Sequence, residues 1–183
     1  MLAAGELEGV FPVDTKSLCT GMALLVIKAC EMRDAGLPAK EIAEQIALLR
    51  EKVHTTFILN TLDYLSRGGR CSAVTAFGAN LLSIKPSIEM VDGALEVGKK
   101  YRGKIETVYG QYIRDQLSDP DKLDLSRAFL SHSGGGISEE TLQAMKKEIL
   151  RCAPFQEVQI IRAGCTISAH CGPKTATVMF MEK

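Results

Sequence analysis

Apolar and polar positions alternate along the chain in a pattern that predicts helices and strands in turn. Residues 17–35 are apolar on almost every side, which predicts a helix that must be covered all round. Pro38 opens a second predicted helix, since a helix start does not need the N–H that proline lacks. Residues 105–113 carry the 3-1-3-1 apolar stripe of an amphipathic helix, and Ser138 caps another. A further helix is predicted over 71–81.

Strands are predicted between these helices. Short β-branched or apolar runs predict strands at 10–13, 55–59, 125–131, 158–161 and 177–180. Two longer runs, 84–91 and 95–101, flank Asp92-Gly93, which is a strong signal for a type I′ hairpin. The pattern therefore predicts an α/β or α+β fold, with a mixed β-sheet and helices packed on it. A domain boundary is expected near residues 52–54, where the two opening helices give way to strands.

Composition narrows the class of protein. The 183 residues are 46% hydrophobic and 24% charged, with no net charge, which excludes disorder as the main state and argues against nucleic-acid binding. No run reaches the ~20 apolar residues of a membrane span, and Glu6 and Glu8 argue against a signal peptide. The six cysteines include no CxxC pair, so reduced thiols in a cytoplasm are expected. Cys165 and Cys171 flank His170, but three ligands are too few for structural zinc, and no metal is expected.

Two segments contain residues suited to binding an anion. Ser66–Arg70 places two arginines around paired glycines, and a guanidinium fork matches a carboxylate or a phosphate. His170 stands before Cys171-Gly172-Pro173, where a chain reversal would hold its ring near the backbone. A purely structural role also fits each segment. Ser66–Arg70 would then be a solvated loop whose arginines cap helix carbonyls, and His170 would hydrogen-bond a backbone carbonyl at the turn. Cys171 and His170 would point apart on an extended chain, which disfavours a nucleophilic pair.

Three other features are weaker. Gly134–Gly136 precedes a helix but lacks the Lys-Ser/Thr of a P-loop, so a plain loop is favoured over an anion site. His132 beside it fits a strand end. The run Arg102-Gly103-Lys104, taken alone, is an ordinary basic loop.

In order and spacing, these segments resemble the DegV family of bacterial fatty-acid-binding proteins, which includes the acyl-carrying B subunits of fatty acid kinase. The resemblance runs from about Val10 to Phe180. The segments that carry it are Asp14–Ser17, the apolar helix, Leu62–Arg70, Ser83–Pro86, Arg102–Lys104 and His170–Pro173.

The resemblance implies a lipid-binding protein that sequesters a long-chain fatty acid in an apolar tunnel between two α/β domains. Arg67 and His170 match the family's carboxylate-binding arginine and histidine, and Cys171 stands where the family has threonine. Arg102 and Lys104 match the basic loop that faces a kinase partner, which phosphorylates the carboxylate. The protein itself would be a carrier, not an enzyme, with no cofactor beyond its bound fatty acid.

The resemblance also implies that a front segment, with two hydroxyl-bearing motifs, is absent. Residues 1–53 would then be the remnant of an N-terminal α/β domain, one strand and two helices, and 54–183 a complete C-terminal α/β domain with a mixed sheet. Lys174 departs from the family's glycine. Two other hypotheses stay open: a small enzyme acting on a phosphorylated substrate through Gly134–Gly136 and Arg67, and a truncated, non-binding fragment stable only as an oligomer that covers helix 17–35.

Overall fold

The structure is a computed structural model that describes residues 3–69 and 84–183. Its α-helices are α1 Cys19–Asp34, α2 Ala39–Leu49, α3 Asp63–Arg67, α4 Ile105–Gln116, α5 Glu139–Cys152 and α6 Cys165–Cys171. Its strands are β1 Val53–His54, β2 Thr56–Ile58, β3 Ile84–Val91, β4 Ala94–Arg102, β5 Arg127–His132, β6 Glu157–Arg162 and β7 Ala176–Met181. Short 3-10 helices span Ala3–Glu6, Arg50–Lys52 and Pro120–Lys122.

The strands form one mixed sheet, which confirms the predicted fold class. The order is β4-β3-β2-β7-β5-β6, and β1 also pairs with β7. β5 and β6 run parallel and are joined by α5, whereas the other paired strands run antiparallel. The predicted hairpin is present between β3 and β4. Asp92 and Gly93 have φ of 50° and 80°, the left-handed values that a type I′ turn requires.

The two faces of the sheet carry separate cores, because side chains alternate between the faces along each strand. α4 and α5 cover the face that includes Leu130 and Val178. α1 and α2 cover the opposite face over Phe129 and Met179. Farther along that same face, α3 and α6 pack around Phe57. We call the α4 and α5 side of the sheet the first face, and the α1, α2, α3 and α6 side the second face.

Strand register brings the ends of six strands to one edge of the sheet. Ala176, the first residue of β7, pairs with Ile58 at the end of β2 and with His132 at the end of β5. Arg162 pairs with His132 across the parallel pair, and Arg102 pairs with the first residue of β3. The chain leaves this edge into α3 after β2, into α4 after β4 and into α6 after β6. We call this edge the site edge.

Helix α1 is buried on one side only in the part of the chain that the structure describes. Its buried residues include Leu24 and Leu25, whereas Met22 and Val26 are 43% and 55% exposed. The apolar sequence of α1 predicts that the helix is covered on every side, but the described residues cover only one side.

Three local predictions come out differently or fall outside the described residues. Residues 10–13 form no strand, since within residues 3–69 and 84–183 no strand pairs with them to take up their backbone hydrogen bonds. The predicted helix over 71–81 lies outside the described residues. His170 and Cys171 do not lie on an extended chain: they end the short helix α6, which Gly172, at φ 76°, and Pro173 terminate.

Candidate functional site

Two short helices end side by side at the site edge. α3 closes with a hydrogen bond from the Gly68 N–H to the Tyr64 carbonyl, 2.9 Å long. α6 closes with a hydrogen bond from the Gly172 N–H to the Ser168 carbonyl, also 2.9 Å. Arg67 and Cys171 are the last residues of the two helices, so tight helix ends hold the predicted ligand-binding residues.

At this contact His170 packs against the end of α3, the helix whose last residue is Arg67. The Nδ1 edge of the His170 imidazole packs against the backbone of Gly68, the residue that follows Arg67. On the other side, Gly172 packs beneath the ring of Tyr64. The Arg67 side chain is exposed and that of His170 is half-buried. The structure therefore places the His170 ring against the residue that follows Arg67.

A small cavity opens beside these helix ends on the second face of the sheet. It lies between the start of α1, the sheet and α6. Its apolar walls include Leu18, Phe57, Ile167 and Met179, and two thiols, Cys19 and Cys171, also line it. The cavity leaves about 20 Å³ for the centres of water-sized spheres, which is room for about one water molecule.

Hydroxyl groups line the same cavity, and sequence reasoning did not single them out. Ser131 and Thr177 face each other across β5 and β7 and share the cavity floor with Met179. The Ser131 hydroxyl lies 2.7 Å from that of Thr20, so α1 is hydrogen-bonded to the sheet here. Ser133 donates to the Gly172 carbonyl at 2.6 Å, and this bond ties the end of α6 to β5. Ser131 and Thr177 could be recognised as a pair only after the register of β5 and β7 was known, so the sequence alone gives no signal for them.

Cys171 contributes an unusually weakly acidic thiol to the cavity. Only 6% of the residue is exposed, and burial is the main cause that raises the pKa of its thiol to about 11. Nearby Cys19 adds to the shift. At neutral pH Cys171 is therefore a protonated thiol, a weak donor and not a thiolate nucleophile.

Arg102 and Lys104 lie on the same edge but on a separate turn. Arg102 ends β4, Lys104 is the residue before α4, and both are exposed. The turn is linked to the end of α6 through Lys174: its ammonium pairs with Glu106 at 2.8 Å, and its carbonyl accepts from Tyr109 at 2.7 Å. Lys174 thus joins α4 to the chain that follows α6, through its side chain and its backbone.

The glycine loop after β5 is held by internal contacts. All three glycines, Gly134–Gly136, have positive φ, which only glycine adopts without strain. The Gly134 N–H donates to Nδ1 of His132 at 3.1 Å, and the Gly135 carbonyl accepts from the Lys174 N–H at 3.2 Å. Burial, and next the Arg162 charge, lower the pKa of His132, so this imidazole is neutral at pH 7 with its proton on Nε2.

Within the described ranges, no three histidine, cysteine or acidic side chains cluster as a metal site would need. No described helix is long and apolar enough to cross a lipid bilayer.

Comparison with known proteins gives a consistent picture. A family model described as "Uncharacterised protein, DegV family" matches residues 1–183. A DegV domain-containing protein of Clostridium acetobutylicum is 29% identical over 182 residues, which cover 97% of this chain and 61% of that protein. The structure of a DegV family protein from Thermus thermophilus is described in terms of fatty acid binding. It superposes on this chain with a TM-score of 0.82 at 27% sequence identity, and the match covers 100% of this chain and 64% of the Thermus chain.

A more distant structure has the same fold. The Streptococcus pneumoniae fatty acid kinase B3 protein, solved with linoleic acid, has a TM-score of 0.78 at 23% identity, covering 93% of this chain and 59% of its own. The present chain spans about three fifths of the length of the relatives it matches. Because the family model matches the chain from one end to the other, the chain belongs to the DegV family.

Proposed function

We propose that this protein binds a long-chain fatty acid on the second face of its sheet, with the carboxylate at the site edge. The observation that carries the proposal is the position of the cavity beside the α3–α6 contact. The cavity has a mainly apolar lining with a few hydroxyl groups, and Cys171, the last residue of α6, is part of that lining. Arg67 and His170 belong to the adjoining α3–α6 contact and are not among the lining residues. A mainly apolar site with a few polar groups is the arrangement that a fatty acid requires. Arg67 and His170 supply the charge-assisted hydrogen bonds that suit a carboxylate. The similarity to the Thermus thermophilus protein supports the same ligand class.

The cavity must widen to admit an acyl chain, because its present volume holds about one water. Burial of the chain favours this opening by about 0.8 kcal/mol per methylene. The walls that would move are the start of α1 and helix α6, since the sheet floor is held by strand pairing. We therefore propose that ligand binding separates α1 from α6, with Cys171 at the junction of tail and carboxylate.

The proposal includes a carrier role without catalysis. The bound carboxylate would be presented at the site edge to the ATP-binding subunit of a fatty acid kinase, with Arg102 and Lys104 as the docking residues. Their exposure, and the link from their turn through Lys174 to α6, support this assignment. No cofactor is part of the proposal, and a cytoplasmic location remains part of it on sequence grounds.

The test identifies the ligand that the purified protein carries and measures the affinity of the protein for fatty acids. The protein is purified from bacteria, analysed by native mass spectrometry for a bound acyl species, then stripped and titrated with palmitate and oleate. Arg67→Gln and His170→Gln should each raise the fatty-acid dissociation constant roughly ten- to a hundredfold, because a hydrogen bond to a charged group contributes about 1.5–3 kcal/mol. Arg33→Gln is the matched control, since Arg33 pairs only with its neighbour Asp34 among the described residues and lies away from the site edge.

Wild-type protein that carries no acyl species and binds neither fatty acid would refute the carrier function. Equal affinity of Arg67→Gln and Arg33→Gln would leave fatty-acid binding intact but remove Arg67 from the site.

The two other sequence-based hypotheses make different predictions. The phosphate-substrate enzyme needs an anion site at Gly134–Gly136, but the described contacts of that loop are internal. The oligomer hypothesis draws support from the exposed apolar residues of α1. A cover for this face by a second copy of the chain remains a prediction. Light scattering tests it, since a well-behaved monomer would contradict the oligomer.

A further inference from the structure

We propose that Gly68 is the positioning residue for His170: the glycine leaves room for the imidazole to lie against the end of α3, beside Arg67. This inference rests on the proposed function only in assigning the fatty-acid carboxylate to His170. The packing itself is independent of any ligand.

The contact between Gly68 and His170 leaves no space for a side chain. A Cβ built on Gly68 would lie 2.3 Å from Nδ1 and 3.1 Å from Cε1 of His170. It would also lie 3.2 Å from the Tyr64 carbonyl oxygen. A separation of 2.3 Å between non-bonded atoms is far inside van der Waals contact, which lies near 3.5–4.0 Å. Any residue other than glycine must therefore displace the imidazole or the helix end.

The backbone at Gly68 does not itself require glycine. Its φ and ψ are −76° and 0°, values that any residue adopts. Gly69, the next residue, differs because its φ is +69°. Loss of the second glycine of the pair would strain the backbone, whereas a side chain at the first acts through its close contacts, the closest of which is with the His170 ring. Alanine at position 68 thus tests the contact with His170 without straining the backbone, and its separation from the Tyr64 carbonyl oxygen is the larger one.

A second glycine contact holds α6 against α3 from the other side. Gly172 has φ +76°, and a Cβ there would lie 2.3 Å from the Tyr64 ring. Tyr64 belongs to α3 and His170 to α6, and each glycine is the residue that follows the last residue of its helix. The two helix ends therefore interlock through two glycines, with His170 held between the contacts.

This packing selects the imidazole nitrogen that meets the ligand. Nδ1 and Cε1 face Gly68, so Nε2, beyond Cε1 on the ring, is the nitrogen left to donate to a carboxylate. A ring held in place loses little rotamer freedom when it binds, and such preorganisation raises affinity. Gly68 thus contributes to binding without touching the ligand.

The experiment compares Gly68→Ala with Gly164→Ala. Gly164 precedes α6, the helix that carries His170, and its φ is −68°. No atom lies within 4 Å of a Cβ built on Gly164, so alanine there adds a methyl group beside this helix without a clash. Imidazole ¹⁵N and ¹H resonances, assigned with His170→Gln, report the ring directly. We expect Gly68→Ala to shift the His170 resonances and raise the palmitate dissociation constant about tenfold, equivalent to ~1.4 kcal/mol. Gly164→Ala should change neither.

Unshifted His170 resonances in folded Gly68→Ala would overturn the proposal, and so would shifted resonances with unchanged palmitate affinity. If Gly68→Ala does not fold, the double variant Gly68→Ala/His170→Ala decides, since removal of the ring removes the clash: a folded double variant supports the contact and an unfolded one refutes it. Wild-type protein that binds no fatty acid would refute the proposed function alone, because the resonance shift still tests the packing.

Discussion

At the scale of single residues, the structure assigns different chemistry to side chains of the same type. Cys165 and Cys171 are the first and last residues of α6, and the former is exposed while the latter is buried. Burial disfavours the thiolate and raises the pKa of the Cys171 thiol to about 11. The sequence alone does not predict which of the two thiols is buried.

We expect Cys171 to be alkylated at least roughly tenfold more slowly than Cys165 when the folded protein reacts with iodoacetamide at pH 8. With a pKa near 11, about one Cys171 thiol in a thousand is ionised at that pH, and the thiolate is the reacting species. Peptide mass spectrometry at timed quenches measures both rates in one sample. Denatured protein is the control, in which the two rates should converge; equal rates in the folded protein would contradict the burial of Cys171.

At the scale of elements, an ion-pair network joins α4 to α5 on the first face of the sheet. Glu148 of α5 accepts from Arg151 of the same helix at 2.7 Å and from Arg114 of α4 at 2.6 Å. The hydrogen bonds from Arg151 and then Arg114 lower the pKa of the Glu148 carboxyl to about 2. Because the pKa is depressed in the folded state, this carboxylate stabilises the fold above its unfolded pKa, near 4.5.

Glu148→Gln should therefore lower the free energy of unfolding at pH 7, and its difference from wild type should shrink as pH falls from 4.5 towards 2. The sign follows because protonation of Glu148 in the wild type removes the interaction that the variant lacks. Urea unfolding across that pH range gives the measurement. Glu44→Gln on α2 is the control, since Glu44 makes no ion pair among the described residues. A pH-independent difference for Glu148→Gln would exclude the network as its cause.

At the scale of the whole molecule, one sheet supports two cores that can respond separately. The first face is sealed by α4 and α5, whereas the cavity lies on the second face beneath the start of α1. Gly21 sets the approach of α1 to that face. A Cβ there would lie 2.3 Å from the Ser17 hydroxyl and 2.5 Å from the Thr55 hydroxyl, which bond to each other at 2.6 Å.

Gly21→Ala should destabilise the α1–α2 layer even though alanine favours a helix over glycine by about 1 kcal/mol. The clash separates α1 from the sheet, so hydrogen exchange should speed up in α1 and α2 and stay unchanged in α4 and α5. Gly110→Ala in the middle of α4 is the matched control, because a Cβ there would make only ordinary contact with Arg114, at 3.4 Å. This substitution should stabilise the protein, since alanine favours a helix over glycine. Uniformly faster exchange in Gly21→Ala would refute separate response of the two cores.

The sequence predicted much of the fold because local signals agreed with the tertiary contacts. Asp92-Gly93 adopts the left-handed turn that joins β3 to β4, and Ser138 accepts from the Thr141 N–H as a helix cap. These features depend on neighbouring residues, so they can be deduced from short segments. The strand expected at 10–13 failed for the opposite reason, since a strand depends on a partner elsewhere in the chain.

Some features of the candidate site likewise follow from the sequence, and others depend on the tertiary structure. By itself, the sequence determined residue chemistry: guanidinium at Arg67, imidazole at His170 and a family resemblance that the comparisons confirm. Only the tertiary structure decided that His170 packs against Gly68, the residue after Arg67, and that Ser131 and Thr177 share one cavity floor. Proximity of this kind comes from strand register and helix packing between distant segments. No local pattern encodes it, because the free energy that sets it is gained only when the layers close on the sheet.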